Sequence, residues 1–360
     1  MQNNKQKFED IFNNKSTITS SAHARVNLIG EHTDYTGGYV LPSLLPYKTT
    51  IYLNKNVEKT FSVYSEFYNE EIKFNDFLKS KTNDWVDYVK GCLFVFLNEN
   101  TKIKNEYMNF YIKSDIPIGR GISSSSALCV AILKALNDFY RMGFEEKHIA
   151  ILGKKVERNY IGVSGGIMDQ MVSSIGIHGK AFFLDCLSLK YELIDIPDNW
   201  KFCLIDSDIQ RNLRDSSYNK RYQELKIAEN ILNVQNLGTV KVDQLKKTIF
   251  ENQIIYNRAK HVIKENERVI HAKKLLKENN IENFGKLMNE SHQSYSKDFE
   301  ASTNDVDLIT EKSLECGALG SRLTGGGFGG FTVSLINKNN YNDWHKKMLK
   351  YYDKKKFFEV

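Results

Sequence analysis

The sequence predicts an α+β fold, and three observations carry that expectation. Short β-rich runs alternate with helical ones through the first half of the chain. The stretch from about Tyr218 to Asn289 reads as strongly helical. Strands and helices mix without the regular βαβ period that a doubly wound Rossmann sheet requires.

The individual elements follow from local pattern. Thr49 to Asn54, Thr60 to Ser65 and Met108 to Lys113 are rich in β-branched and aromatic residues and read as strands. Trp85 to Asn98 reads as a helix, as do the apolar run that ends at Phe139 and the stretch Ile149 to Tyr160. Farther on, Leu225, Ala228, Ile231 and Leu232 recur at helical spacing, and so do Val262, Val269, Ala272, Leu275 and Leu276. The chain returns to a strand at Phe331 to Ile336 and closes on Phe357 to Val360.

Composition bounds the function. With 360 residues, 41% hydrophobic and 26% charged, the chain can bury one large core or two modest ones. No repeat and no Pro/Gly/Ser linker divides it. No apolar stretch approaches the ~18 residues of a membrane span, and the polar N-terminus leads into no signal-peptide core. The net charge of +6 is mild. A lysine-rich segment, His345 to Lys356, lacks any base-reading motif and reads as a solvated helix, so no nucleic acid is expected. Cys92, Cys129, Cys186, Cys203 and Cys316 are scattered and form no C-x-x-C, which disfavours zinc and suits a reducing cytoplasm.

Three segments break the ordinary pattern. In Asp115-Ile-Pro-Ile-Gly-Arg-Gly-Ile-Ser-Ser-Ser-Ser-Ala-Leu, two glycines let the backbone curl and four serines stand where a helix begins. Free N–H groups, hydroxyls and the positive helix end together form a phosphate cradle. No Walker A, H-R-D or D-F-G string occurs, so any nucleotide is held by a different loop.

In Arg322-Leu-Thr-Gly-Gly-Gly-Phe-Gly-Gly-Phe, Gly325, Gly327 and Gly330 formally satisfy G-x-G-x-x-G. They precede a strand rather than open a helix, so the dinucleotide reading fails. A loop pressed against a phosphate or against the serine loop accounts better for so many glycines. In Ala24-Arg-Val-Asn-Leu-Ile-Gly-Glu-His-Thr-Asp-Tyr-Thr-Gly-Gly, the side chains of Glu31, His32 and Asp34 crowd between glycines. Such a set suits a polyhydroxylated ligand, and a metal is the alternative.

Together these segments resemble the GHMP family of small-molecule kinases, and within it the galactokinase branch. Ala24 to Gly38 is similar to the branch signature, usually written G-R-V-N-L-I-G-E-H-T-D-Y-N-G-G, with Thr36 in place of the usual Asn and Ala22-His23-Ala24 in place of Ala-Pro-Gly. Pro117-Ile-Gly119-Arg-Gly121-Ile-Ser-Ser-Ser resembles the family's P-x-G-x-G-L-S-S-S nucleotide loop, and Gly317 to Gly330 its C-terminal glycine motif. Trp85-Val-Asp-Tyr-Val-Lys-Gly, Gly165-Gly-Ile-Met-Asp-Gln, Ser217-Tyr-Asn-Lys-Arg and Leu287-Met-Asn-Glu-Ser-His stand in the expected order between and around them.

The resemblance implies a two-lobed GHMP kinase fold. The first lobe would span residues 1–175, be like the second domain of a small-subunit ribosomal protein, and carry the sugar signature and nucleotide loop. The second, α/β, would span residues 176–360, with the site between the lobes. It also implies ATP-dependent phosphorylation of the C1 hydroxyl of D-galactose to α-D-galactose 1-phosphate in galactose catabolism, by a cytoplasmic monomer with ATP and Mg²⁺. Asp169 would be the base and Arg25 its partner. Glu31, His32, Asp34, Gly166 and Tyr218 would hold the sugar. Gly119, Gly121, Ser123, Ser124 and Ser125 would seat the phosphates, Trp85 and Tyr88 would flank the adenine, and Ser125 with Glu157 would hold Mg²⁺. Read as plain residues, Trp85 and Tyr88 are equally core aromatics, and Glu157 a solvent-facing helix residue. The rival functions are a sister sugar-1-kinase for N-acetylgalactosamine, arabinose or galacturonate, and a non-catalytic sugar and ATP sensor. The intact serine loop and Asp169 favour the enzyme.

Overall fold

The computed structural model describes residues 2–77, 82–99, 106–117, 119–163, 165–209 and 216–360. Its strands are β1 (Ile18–Asn27), β2 (Tyr39–Val40), β3 (Pro42–Lys55), β4 (Phe61–Ser65), β5 (Glu70–Phe74), β6 (Met108–Ser114), β7 (Lys180–Asp185), β8 (Tyr191–Asp195), β9 (Trp200–Asp206), β10 (Gly320–Leu323), β11 (Phe331–Asn337) and β12 (Phe357–Glu359). The helices are α1 (Gln2–Phe12), α2 (Val86–Glu99), α3 (Ser124–Tyr140), α4 (Glu146–Lys155), α5 (Met168–Ile175), α6 (Ser216–Leu232), α7 (Val242–Lys247), α8 (Gln253–Lys277), α9 (Ile281–Lys297), α10 (Asn304–Glu315) and α11 (Tyr341–Met348).

The chain divides into two compact units, Met1–Ala24 with Tyr47–Ile116 and Ser123–Ile175, and Arg25–Pro46 with Pro117–Ile122 and Gly176–Val360. A single cut after residue 175 assigns 25–46 and 117–122 to the first domain, whereas the structure groups both with the second unit. Long-range bonds are the reason. Asn27 N–H donates to Thr324 Oγ1 at 3.2 Å and Gly30 N–H to Glu265 Oε1 at 2.9 Å, so the segment is held from residues far downstream.

In the first unit, β3 runs antiparallel to β6 from Thr49↔Ser114 to Lys55↔Met108. Strand β4 lies parallel to β6 and antiparallel to β5. The three sequence-predicted strands of this unit therefore all form. Their apolar residues Ile51, Leu53, Phe61, Val63 and Phe110 meet Val89, Leu93 and Phe96 of α2 and Val130, Leu133 and Leu136 of α3 in one core. Helix α3 is apolar nearly all round from Ala127 to Leu136, with Cys129, Ile132 and Leu133 buried as well as Ala127, Val130, Ala131 and Ala135, the pattern of a helix enclosed in a core. It ends at Arg141, whose left-handed backbone turns its N–H back to Asn137 O and Asp138 O.

The expected helix at Ile149 to Tyr160 is two pieces. Helix α4 stops at Lys155 and a π-helical turn, Val156–Ile161, carries on. Gly91 of α2 makes room for it, since a Cβ there would stand 2.9 Å from both Val156 Cγ1 and Tyr160 Cδ1.

In the second unit, β10, β11, β9 and β12 form an antiparallel sheet in that order. The strand after the last glycines is β11, as the sequence predicts, and it registers Phe331 against Asp206 of β9. Strand β7 pairs with β2 and β8. The helical stretch predicted from Tyr218 to Asn289 is α6 to α9. The longest of these, α8, is capped by Asn252 Oδ1 accepting from Ile254 N–H and Ile255 N–H. Leu225, Ala228, Ala259, Val262, Tyr295 and Phe299 pack between these helices, with Leu323 of β10 against them. Among the described residues no helix is long and apolar enough to cross a membrane.

Candidate active site

The first unit builds an acid and hydroxyl cluster at the start of α3. Ser123 precedes the helix in the left-handed region at φ 65°, and its Oγ donates to Asp169 Oδ2 at 2.5 Å. Asp169 stands in the first turn of α5, on the positive end of that helix. One residue further, Gln170 Nε2 donates to Glu157 Oε2 at 2.7 Å and to Ser126 Oγ at 3.2 Å. Ser125 and Ser126 both donate to Glu157 Oε1, at 3.0 and 2.9 Å.

The π turn matters here. It sets the half-buried Glu157 where its carboxylate accepts from two hydroxyls and an amide. Burial pushes the Glu157 pKa up to about 7, and the Asp169 carboxylate adds to the rise, against the pull of Ser126, Ser125 and Gln170. All three hydrogen-bond donors are neutral. The result is an oxygen-rich seat around the Glu157 carboxylate.

The second unit holds Gly119 and Gly121, just before the serine run, and the segment Arg25–Pro46. Gly119 and Gly121 lie at φ 73° and 78°, which other residues adopt only under strain. Arg25 is buried, its Nη1 donating to Gly121 O at 3.0 Å and its backbone N–H to Ile122 O at 3.4 Å.

Glu31 is buried and held on three sides. Its Oε1 accepts from Arg322 Nη1 at 2.9 Å and from Gly325 N–H at 3.0 Å, and its Oε2 from Asn27 Nδ2 at 3.1 Å. Behind it Glu265, wholly buried, accepts from Gly30 N–H, Ser291 Oγ and Arg268 Nε. Burial alone would raise the Glu265 pKa, but Arg268, His261 and Arg322 overcome it and hold the carboxyl far below its usual range.

His32 has φ 60° and a buried ring. Its Nε2 lies 2.9 Å from Tyr295 OH, which donates its only proton to Gly325 O at 2.8 Å. Nε2 therefore carries the hydrogen, and Nδ1 accepts from Tyr35 OH at 2.6 Å. Both ring nitrogens are engaged, which closes the metal alternative for this cluster. Burial, with Tyr218 and Asp34 adding to it, pushes Tyr35 well above the usual phenol range and keeps it a donor. Among the described residues no group of three or more His, Cys, Asp or Glu could hold a metal.

The remaining candidates fall as follows. Tyr218, in the first turn of α6, has its ring 5.3 Å from His32 and 6.0 Å from Tyr35. Asp34 is half-buried between these groups in sequence, and Gly166 is half-buried just before α5. Trp85 stacks on Tyr68 at 5.5 Å, donates from Nε1 to Glu70 Oε2 at 3.2 Å, and packs with Tyr88 on the first-unit core. Sequence reasoning missed Ser126, Gln170, Glu265, Tyr295 and Arg322. Gln170 had a signal, its place beside Asp169, whereas Glu265 sits unmarked in a charged helix.

Comparison with known proteins places the chain in a family. The family model for the GHMP kinases N terminal domain matches residues 87–176, that for the GHMP kinases C terminal matches 272–351, and the Galactokinase galactose-binding signature matches 6–55. A galactokinase from Clostridium perfringens is 36% identical over 338 residues, covering 90% of this chain and 87% of that protein. The crystal structure of Lactococcus lactis galactokinase complexed with galactose superposes with a TM-score of 0.93 at 30% identity, covering 99% of this chain and 97% of that one. The Methanococcus jannaschii mevalonate kinase is similar in fold, with a TM-score of 0.71 at 21% identity, 92% of this chain and 95% of that chain being covered.

Proposed function

Because the chain belongs to the galactokinase branch of the GHMP kinases, we propose that it transfers the γ-phosphoryl group of ATP to the C1 hydroxyl of D-galactose, giving α-D-galactose 1-phosphate. The single observation that carries the chemistry is the pair of carboxylates, Asp169 and Glu157, gathered on the hydroxyls at the start of α3.

Asp169 acts as the base. Ser123 fixes its Oδ2, and the carboxylate accepts the sugar's proton as the new P–O bond forms. Arg25 stabilises charge on the moving phosphoryl group. The glycine turn of Gly119 and Gly121, with Ser123, Ser124 and Ser125, seats the phosphates, and Trp85 with Tyr88 lines the adenine. Asp34, Tyr218 and the backbone at Gly166 bind sugar hydroxyls. Glu31 adds an acceptor through Oε2, which has one protein donor. His32 acts through Tyr35, whose hydroxyl it orients.

Ser125 and Glu157 fit Mg²⁺. They are hard oxygen donors, and a buried carboxylate raised to about 7 among neutral partners is a seat that a divalent cation would suit. When bound there, Mg²⁺ would supply charge neutralisation of the nucleotide's β- and γ-phosphates. All five cysteines are thiols, which supports a reducing compartment such as the cytoplasm.

The test is ADP release with ATP and Mg²⁺ across a panel of free sugars, with the position of the phosphate assigned by NMR. The expected result is turnover of galactose with phosphate on C1. Strong turnover of another sugar with none of galactose would overturn the reading.

A further inference from the structure

Arg120 stands between Gly119 and Gly121, and nothing assigned above uses its charge. The family string P-x-G-x-G leaves this position open, and this chain fills it with a cation. Arg120 Nη1 lies 2.9 Å from Asp206 Oδ1, and Nη2 is 3.9 Å from Asp208 Oδ1. Asp208 has its own short ion pair with Lys356 at 2.6 Å, so Asp206 is the main partner. The Arg120 and Asp206 side chains are only 19% and 10% exposed, which limits screening of the pair by water and salt.

Asp206 is held in turn. It ends β9, and its Oδ1 also accepts from Asp208 N–H at 2.8 Å. The next residue, Ser207, donates its N–H to Gly330 O at 2.9 Å, and Gly330 N–H donates to Ile209 O at 3.1 Å. One carboxylate thus receives the first glycine loop from a segment that is clamped to the second.

We propose that Arg120 is a positioning residue for the nucleotide. By gripping Asp206 it fixes the turn at Gly119 and Gly121 onto the end of β9, so that ATP meets a formed loop. A turn with two positive-φ glycines loses much conformational freedom when it is ordered. An ion pair that orders it in advance removes that cost from binding. The inference rests on the reading of this loop as the nucleotide seat.

The test is a double-mutant cycle of Arg120→Gln, Asp206→Asn and the double variant, with KM for ATP, KM for galactose, direct ADP titration and thermal melting measured on each. Each single change is expected to raise KM for ATP and weaken ADP binding about ten-fold, with KM for galactose unchanged. The double variant is expected to match the singles, because either change breaks the same link. Three results overturn the proposal: Asp206→Asn at wild-type KM for ATP, which makes Arg120 a direct phosphate ligand; losses that multiply in the double variant; or KM for both substrates rising together with a falling melting temperature. Gly121→Val separates this from the underlying reading. Loss of ADP binding in that variant alongside silent Arg120→Gln and Asp206→Asn variants sinks only the proposal, whereas intact ADP binding in Gly121→Val sinks the nucleotide seat as well.

Discussion

Ser123 Oγ donates to Asp169 Oδ2 at 2.5 Å, joining the last residue before α3 to the first turn of α5. The bond holds the carboxylate in one orientation. Asp169→Asn keeps the shape and an acceptor for Ser123, but removes the charge that takes up a proton. We expect kcat to fall at least about a hundred-fold, the scale on which a positioned general base contributes. ATP affinity should stay close to wild type. Steady-state ADP release and an ATP titration of the same variant check both halves, and near-wild-type turnover would rule out Asp169 as the base.

A second prediction concerns Tyr295, whose hydroxyl accepts from His32 and donates to Gly325 O. Tyr295→Phe keeps the packed ring but strands the buried His32 Nε2–H and the carbonyl of Gly325. Leaving a buried polar group unpaired costs about 1–3 kcal/mol, and here the cost falls on the turn that carries Asp34 and Tyr35. KM for galactose should rise about ten-fold while KM for ATP changes little. An unchanged KM for galactose would show that the signature turn holds its shape without this bond.

How much of this was legible in the sequence depends on chain distance. The serine run, Asp169 and the signature are contiguous strings, and local physics connects each to a helix start or a turn. The wrong context for G-x-G-x-x-G was equally readable, because the glycines run into a strand, Phe331 to Ile336, rather than into a helix. The environment of Glu157 was not, since it depends on a π turn that a 3.6-residue period does not anticipate. Nor could spacing reveal that Arg322 serves Glu31 or that Tyr295 serves His32, partners 291 and 263 residues apart. Those bonds also explain why residues 25–46 join the second unit, although they precede most of the first in the chain.

The buried imidazole of His261 gives a pH signature. Burial, with Arg268 and Arg322 adding to it, lowers its pKa to about 3, although Glu265 and Asp298 pull the other way. Ser294 Oγ donates to Asp298 Oδ2, so it accepts from His261 Nδ1–H and the ring is seated neutral. The folded pKa lies below the ordinary 6.5, so between those values the unfolded chain binds the extra proton. Stability therefore falls as pH drops through 6.5 toward 3, and the dependence fades within about one pH unit above 6.5. Going from pH 7 to pH 5, the contribution is about 2 kcal/mol. Urea unfolding of wild type and His261→Phe at both pH values isolates it, because other titrating groups are common to the two proteins. The variant should lose about 2 kcal/mol less than wild type over that interval, whatever its stability at pH 7. Equal losses in the two proteins would mean that the imidazole gains its proton without leaving the fold.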